Sequence, residues 1–173
     1  MKTITLNLKK SLILEAVKSD TYLTGVIDKS VDAVKNASVA YNEQAGDETY
    51  QERKLLRTLR SALAKFEANL AEFVDAAAGS INNTLSNTED DFTITLSVSD
   101  RYTNGLANPL SSLAEEYIIN MMDYTWWQPI KPELAKNYLA FAQDSLIHVR
   151  LCMAKSAPQV SSSDYTDVNG TVE

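Results

Sequence analysis

The segment "DDFTITLSVSDRY", residues 90–102, has the pattern of a β-strand in a chain whose other long segments have helical patterns. Its apolar residues alternate with hydroxyl-bearing residues, and a period of two is typical of a strand with one buried face. The tetrad Thr-Ile-Thr-Leu of this segment also occurs at residues 3–6. The sequence therefore predicts two short strands, near residues 3–8 and 92–98, that are far apart along the chain.

Two strands alone form only a marginally stable ribbon, so they need further packing partners. The preferred interpretation is that they pair within one subunit and lie over a helical bundle. In the alternative, the N-terminal strand of one subunit adds to the exposed edge of its neighbour's second strand.

The first two helical patterns occupy the N-terminal half. One begins near Ser11, has a possible break at residues 21–25, and ends before the loop "NEQAGD" at residues 42–47. The other begins at a capping box formed by Thr49 and Glu52. Its apolar seam predicts a helix of about 30 residues that stops at Gly79. The members of the seam are Leu56, Leu59, Leu63, Phe66, Leu70, Phe73 and Ala77.

Two more helices follow the second strand. The third is predicted to start with Asn108 as its cap and Pro109 in its first position, and to end because Gln128 precedes Pro129. The fourth begins at Pro132. The predicted fold is mainly α, a bundle of about four helices with a small two-stranded β element. Residues 1–155 form a single helical domain, and residues 156–173 form a polar C-terminal arm that we expect to be disordered alone.

Composition and charge exclude several classes of protein. The 173 residues carry a formal net charge of −7, which disfavours a dedicated nucleic-acid binder because phosphate binding needs a net supply of Lys and Arg. The single cysteine allows no intramolecular disulfide. No signal-peptide pattern and no run of roughly 18–20 apolar residues is present, so we expect a protein made in a cytoplasm and not inserted in a membrane.

Few residues have the pattern of a chemical site. His148 and Cys152 lie one turn apart on one helix face, and we interpret them as a partly buried pair rather than a nucleophile and its base, because no activating third group is evident. The acidic run "NTEDD", residues 87–91, lacks the spacing of a calcium loop. The acidic pairs on the helices show no dyad that sequence alone can distinguish. We therefore predict no enzyme activity, no catalytic residue, no cofactor and no metal.

Two segments suggest contacts. The run "RKLLRTLR", residues 53–60, is interpreted as a solvated face, with DNA or an acidic subunit as the alternative. Of the neighbouring tryptophans Trp126 and Trp127, only one indole is expected to fit easily in the core, and the other either caps the end of the bundle or anchors an interface. The candidate interface residues are Trp126, Trp127, Ile94, Leu96, Ile4, Leu6 and Tyr165.

The C-terminal half resembles a known set of proteins. The stretch "FTITLSVSDRY…PLSSLAEEYIINMMDYTWWQPIKPELAKNYLAFAQDSLIHVRLCM", residues 92–153, is similar to uncharacterised phage and prophage structural proteins of Bacteroidetes. In these, a short strand leads to a helix that ends at a tryptophan, followed by a proline-containing turn and a helix rich in Ala, Tyr and Leu. The matching positions are Tyr117, Ile118, Trp126 or Trp127, Pro129, Ala135, Tyr138, Ala142, Leu146, Val149 and Arg150.

This resemblance implies a virion protein of the helical head–tail connector, or neck, type in a tailed bacteriophage. Such a subunit joins portal to tail as a homo-oligomeric ring of roughly 12 or 6 copies, with closed head-to-tail contacts. It implies portal and tail or neck proteins as partners, no sequence-specific nucleic acid, no membrane, and assembly in the host bacterial cytoplasm. The alternative is a soluble helical adaptor or regulatory protein-binding module that uses Leu59, Leu63 and Leu70 to bind a partner helix. A third reading, an enzyme using Cys152 and His148, is the least favoured.

Overall fold

The structure is a computed structural model that describes residues 2–31, 45, 49–73, 91–100, 102 and 106–154. In chain order the elements are β1 (Lys2–Lys9), α1 (Lys10–Val31), α2 (Thr49–Asn69), β2 (Asp91–Val98), α3 (Ala107–Trp127) and α4 (Pro132–Ala154). The predicted fold class, a mainly helical chain with a two-stranded antiparallel sheet, is confirmed. The predicted polar arm at residues 156–173 and the acidic run at residues 87–90 lie outside the described residues.

Helix α3 is the centre of the packing. It contacts α1, α2, α4 and β1, because it is apolar around most of its circumference. A short turn joins it to α4, and in this turn the N–H groups of Ile130 and Lys131 donate to the carbonyl of Trp127. The buried residues of α3 are Leu110, Ala114, Tyr117, Ile118, Met121, Met122, Asp123, Trp126 and Trp127.

The two strands pair with each other inside one chain, so the preferred interpretation of the repeated tetrad is confirmed. The register places Ile4 opposite Leu96 and Leu6 opposite Ile94. These apolar pairs face the helices and are buried, and complete burial of such a side chain is worth about 1.5–3 kcal/mol. The hydroxyl and amide residues between them form the outer face, where Thr3 and Thr5 are exposed.

The two edges of this sheet differ. On β2, the Ser97 N–H donates to the Phe73 carbonyl at 2.6 Å, so the chain following α2 covers that edge. In an antiparallel pair, the backbone N–H and C=O groups of successive residues point alternately toward the partner strand and away from it. Thr3 lies opposite Ser97, so Thr3 and then Thr5 and Asn7 turn their backbone groups away from β2. Within the described part of the chain these three form no further hydrogen bond, and β1 presents an open edge.

Helix α2 is shorter than its apolar seam predicts. It ends at Asn69, not near Gly79, and a turn follows at residues 70–73. At this end the Arg150 guanidinium donates to the Asn69 carbonyl at 2.7 Å, which satisfies a carbonyl that the helix leaves without a partner. The seam also begins differently, because Leu55 is buried whereas Leu56 is only partly buried.

The predicted start of α3 is wrong by two residues. The helix begins at Ala107, and Leu106 is its cap without a side-chain capping bond, so Asn108 is not the cap. Pro109 lies in the first turn, where a missing N–H costs no helical hydrogen bond.

The end of α3 at Trp127 agrees with the prediction, but the predicted reason is wrong. Gln128 stays in the α region, with φ −49° and ψ −45°, and its N–H donates to the Tyr124 carbonyl at 3.0 Å. The helix therefore ends at Trp127 although Gln128 keeps helical dihedral angles, and the Trp127 carbonyl closes the turn that follows.

Candidate functional site

Both tryptophans lie in the core, so the expectation that only one indole fits there is wrong. Trp126 is 2% exposed and Trp127 is fully buried. The Lys54 ammonium lies 3.9 Å from the ring centroid of Trp126, and that of Lys131 lies 5.1 Å from the ring centroid of Trp127. Because α3 has neighbours on several sides, two successive residues that point about 100° apart can both be covered.

The remaining candidate interface residues also require a correction. Ile4, Leu6, Ile94 and Leu96 are buried on the inner face of the sheet, against the chain's own helices. With the two tryptophans, all six described members of the set are core residues, and Tyr165 lies outside the described residues. Their side chains therefore offer no contact surface, and a contact between copies at the sheet has to use the open backbone edge of β1 or its outer hydroxyl face.

The seam assigned to a partner helix is likewise used internally. Leu59, Leu63 and Leu70 are all at most 2% exposed, and the ring of Phe66 packs against Tyr117 of α3 with 5.3 Å between centroids. An adaptor that binds through this seam would have to open its own core.

An apolar surface does exist on α4. This helix packs on α3 through residues such as Ala142 and Val149, which are buried. Ile147 and Leu151 lie on its opposite side and Phe141 lies on its flank, and each of the three is more than half exposed. We call these three residues the α4 outer face. Exposed apolar patches of this kind are typical of interaction sites. Other large apolar residues that are more than half exposed are Leu12, Tyr22 and Leu23 on α1 and Tyr50 on α2.

The histidine–cysteine pair on α4 shows no arrangement for nucleophilic chemistry. His148 Nδ1 lies 2.9 Å from the Asp144 carbonyl oxygen and 3.5 Å from its carboxylate, one turn earlier on the same exposed side. Cys152 is partly buried. The ring nitrogen is thus engaged with its own helix, which supports the structural interpretation of the pair.

A pair of aspartates lies between two helices of the bundle, with one member fully buried and the other partly buried. Asp20 comes from α1 and Asp123 from α3, and the Asp123 carboxyl has no exposed surface and no donor among the described groups. It contacts the Asp20 carboxyl. Two carboxyl groups in contact at a buried site repel each other when both are charged, which favours the state in which one of them keeps a proton.

The directions in which the two pKa values are shifted indicate which carboxyl group is favoured to keep a proton. Burial, then the negative charge of Asp20, and then the hydrogen bond with Asp20 raise the pKa of Asp123 to about 8. Burial also raises the pKa of Asp20, but its hydrogen bond to Asp123 lowers it. These shifts favour a proton on Asp123 at neutral pH.

Helix α4 also lies near the aspartate pair, through Tyr138. Burial and then the charges of Asp123 and Asp20 raise the pKa of Tyr138, while a hydrogen bond with Thr24 acts in the opposite direction. A carboxyl pair with one proton is the arrangement of several acid–base catalysts. Here Asp123 is fully buried among the helices, so its protonation affects the packing of α1, α3 and α4.

Sequence reasoning did not find this pair. Its members are far apart along the chain, and acidic residues are common on these helices. The one usable signal was Asp123 itself, because it follows Met121 and Met122 on the apolar side of α3, where a charged residue is unexpected.

A basic cavity lies where α2 meets the end of α3. Its volume is about 580 Å³, and a neighbouring cavity of about 270 Å³ shares two of its lining residues, Lys54 and Arg57. The described residues that line the larger cavity are Lys54, Arg57, Thr58, Ser61, Thr125, Gln128 and Pro129. Tyr50 and Arg53 complete the lining of the smaller one.

The charge in this cavity is unbalanced. Burial and then the nearby charge of Arg57 lower the pKa of Lys54. Within the described part of the chain, Arg53, Lys54 and Arg57 form no ion pair with a carboxylate. The interpretation of residues 53–60 as a solvated face is therefore incomplete, because Lys54 is partly buried between a tryptophan and the cavity.

A comparison with known protein families, characterised proteins and solved structures finds no match to this chain. Among the described residues, no cluster of three or more His, Cys, Asp or Glu side chains is placed to hold a metal ion. No helix in the described ranges combines the length and apolar character needed to cross a bilayer.

Proposed function

We propose that the protein is a non-enzymatic structural subunit of a tailed-bacteriophage virion, of the head–tail connector or neck type, that forms a ring between portal and tail. The observation that carries the proposal is the α4 outer face. Phe141 and Leu151 are ten positions apart, about 15 Å along the helix at 1.5 Å per residue. A neighbouring subunit that covers Phe141, Ile147 and Leu151 would gain about 1.5–3 kcal/mol for each side chain it buries completely.

A ring requires two different surfaces on each copy, because its contacts run head to tail. The chain offers a second apolar surface on α1, where Leu12, Tyr22 and Leu23 are more than half exposed. In the proposed ring, the α4 outer face of one copy packs on this α1 surface of the next. The open edge of β1 is free to add contacts in the same assembly.

The resemblance of residues 92–153 to phage structural proteins gives further support. That stretch corresponds to β2, α3 and α4, which is the strand, helix, turn and helix of the resembling proteins. Its two tryptophans are buried at the end of α3, where they stabilise the α3–α4 hairpin from inside, and Pro129 lies exposed in the turn. The resemblance therefore concerns the framework that positions the α4 outer face.

The test is the mass of the purified protein, measured by light scattering after gel filtration and by native mass spectrometry, alone and with a portal ring. We expect a large homo-oligomer or assembly on the portal. Ile147→Glu and Leu151→Glu should shift the protein to monomers without changing its circular dichroism, because both side chains are exposed in the monomer. Ser112→Glu, at an exposed position of α3, is the control and should assemble normally.

A wild-type protein that stays monomeric and has no affinity for portal or tail proteins would contradict the proposal. A discrete heterodimer that Leu151→Glu disrupts would instead favour the adaptor function, with the α4 outer face in the role that sequence reasoning gave to the leucine seam.

A further inference from the structure

The basic cavity at Lys54 and Arg57 is the feature that the proposed function leaves unexplained. The chain as a whole is acidic, with a net charge of −7, so a concave surface whose described charged lining residues are all cations differs from the average of the chain. The described residues that line this cavity include two cations and no carboxylate. The cavity is a groove open to solvent, and its volume of about 580 Å³ is large enough for a small molecule that remains partly exposed.

The two cations are placed to act together. Lys54 and Arg57 are three positions apart on α2, so their side chains start roughly 5–6 Å apart on one helix face. The Lys54 ammonium is held over the Trp126 ring at 3.9 Å, which limits its freedom before any ligand arrives. Arg57 adds a planar group with several donors, which matches the oxygens of phosphate.

The uncharged residues of the cavity provide further donors. The Thr58 hydroxyl already donates to the Leu55 carbonyl at 2.8 Å, and that of Thr125 to the Met121 carbonyl at 2.9 Å. The side chains of Ser61 and Gln128 make no hydrogen bond within the described residues. A hydroxyl and an amide therefore remain to bind a ligand beside the two cations.

We propose that this cavity binds the phosphate groups of a nucleotide-sized ligand, with Lys54 and Arg57 as the charged contacts and Ser61 and Gln128 as neutral donors. A bound anion removes the repulsion between the two cations and replaces the water that Lys54 loses by its partial burial. The same phosphate chemistry has two sources, a free nucleotide or a nucleic-acid strand, and a strand would also extend into the smaller cavity beside Arg53 and Tyr50.

The experiment is isothermal titration of the full chain with ADP and, separately, with a short thymidine oligonucleotide. Lys54→Met keeps a long apolar stem over Trp126 and removes the charge, and Arg57→Gln removes the charge at an exposed position. The matched control is Lys65→Met, which removes one charge from an exposed position of the same helix. Circular dichroism and the urea midpoint check that each variant is folded, and Arg57→Gln provides the test if Lys54→Met fails to fold.

We expect ADP to bind with a dissociation constant that rises about tenfold or more in Lys54→Met and Arg57→Gln, and less than about threefold in Lys65→Met. Binding of the oligonucleotide but not ADP, with the same pattern among the variants, supports the site with a strand as the source. The inference is overturned if neither probe binds, or if the control loses as much affinity as the cavity variants. Its outcome is independent of ring formation, because a monomer can bind ADP and a ring can fail to.

Discussion

The buried aspartate pair makes the stability of this protein depend on pH in an unusual direction. Asp123 is fully buried and its pKa is raised from 3.8 to about 8, so between these values the folded protein keeps a proton that the unfolded chain releases. A raised pKa of this kind stabilises the fold fully below the unfolded value, and the stabilisation is lost as pH rises through the folded value.

The size of the effect follows from the linkage relation. One proton of difference changes the free energy of unfolding by about 1.36 kcal/mol per pH unit. From about pH 5 to about pH 8, this one residue lowers the stability of the wild type by about 4 kcal/mol, an order-of-magnitude value. Asp20 from α1 and Tyr138 from α4 are the titratable groups that face it, and their pKa values are raised as well.

The perturbation that isolates this effect is Asp123→Asn. The amide has nearly the same shape as the protonated carboxyl, donates to Asp20 in the same way, and does not titrate. Relative to the wild type, the variant should gain about 4 kcal/mol in its free energy of unfolding when the pH is raised from about 5 to about 8. At about pH 8 the variant should be the more stable protein.

The measurement is urea unfolding followed by circular dichroism at several pH values across this range. Glu15→Gln is the control, because it removes an exposed carboxyl of α1 that forms no ion pair within the described residues, and its pH profile should stay nearly parallel to that of the wild type. A stability difference between Asp123→Asn and wild type that does not vary with pH would refute the reasoning, because Asp123 would then not keep a proton in the folded state.

Three further predictions concern the fold. Thr5→Pro should be tolerated much better than Ile4→Pro, because the Thr5 N–H points to the open edge of β1 whereas the Ile4 N–H points to β2. We expect Ile4→Pro to lower the free energy of unfolding by about 3 kcal/mol more than Thr5→Pro, measured by thermal or urea unfolding. Phe66→Ala should cost about 3–5 kcal/mol because the ring is fully buried, whereas Phe141→Ala, on an exposed ring, should cost under about 0.5 kcal/mol in the monomer, and equal losses would contradict the assigned core. Arg150→Gln should cost about 1 kcal/mol by removing the bond to the last carbonyl of α2, and faster amide exchange at the end of α2 should accompany the loss.

The strands and the four helices could be predicted from the sequence because each has a local signal. Ile4 and Leu6 alternate with Thr3 and Thr5, so the apolar face of the strand must turn to the core whichever element packs against it. The boundaries were less predictable. At the end of α2 the Asn69 carbonyl accepts a hydrogen bond from Arg150, which is remote in the chain, so no local pattern predicts this contact.

The candidate sites were largely beyond the sequence. In the sequence, Trp126 and Trp127 have the pattern of interface anchors, but the elements packed around α3 bury both rings, and the sequence does not show those neighbours. The aspartate pair requires α1 and α3 to bring Asp20 and Asp123 together. The basic cavity similarly requires the end of α3 to lie against α2, beside Lys54.

By itself the sequence determined the type and order of the elements, since hydrophobic periodicity acts over one or two turns and needs no partner to be read. It also determined that one face of each element would be apolar. Only the tertiary structure decided which apolar residues are core and which remain on the surface, and which charges lose their water. The physical reason is that burial and electrostatic interaction depend on distances between residues remote in the chain, and packing sets those distances.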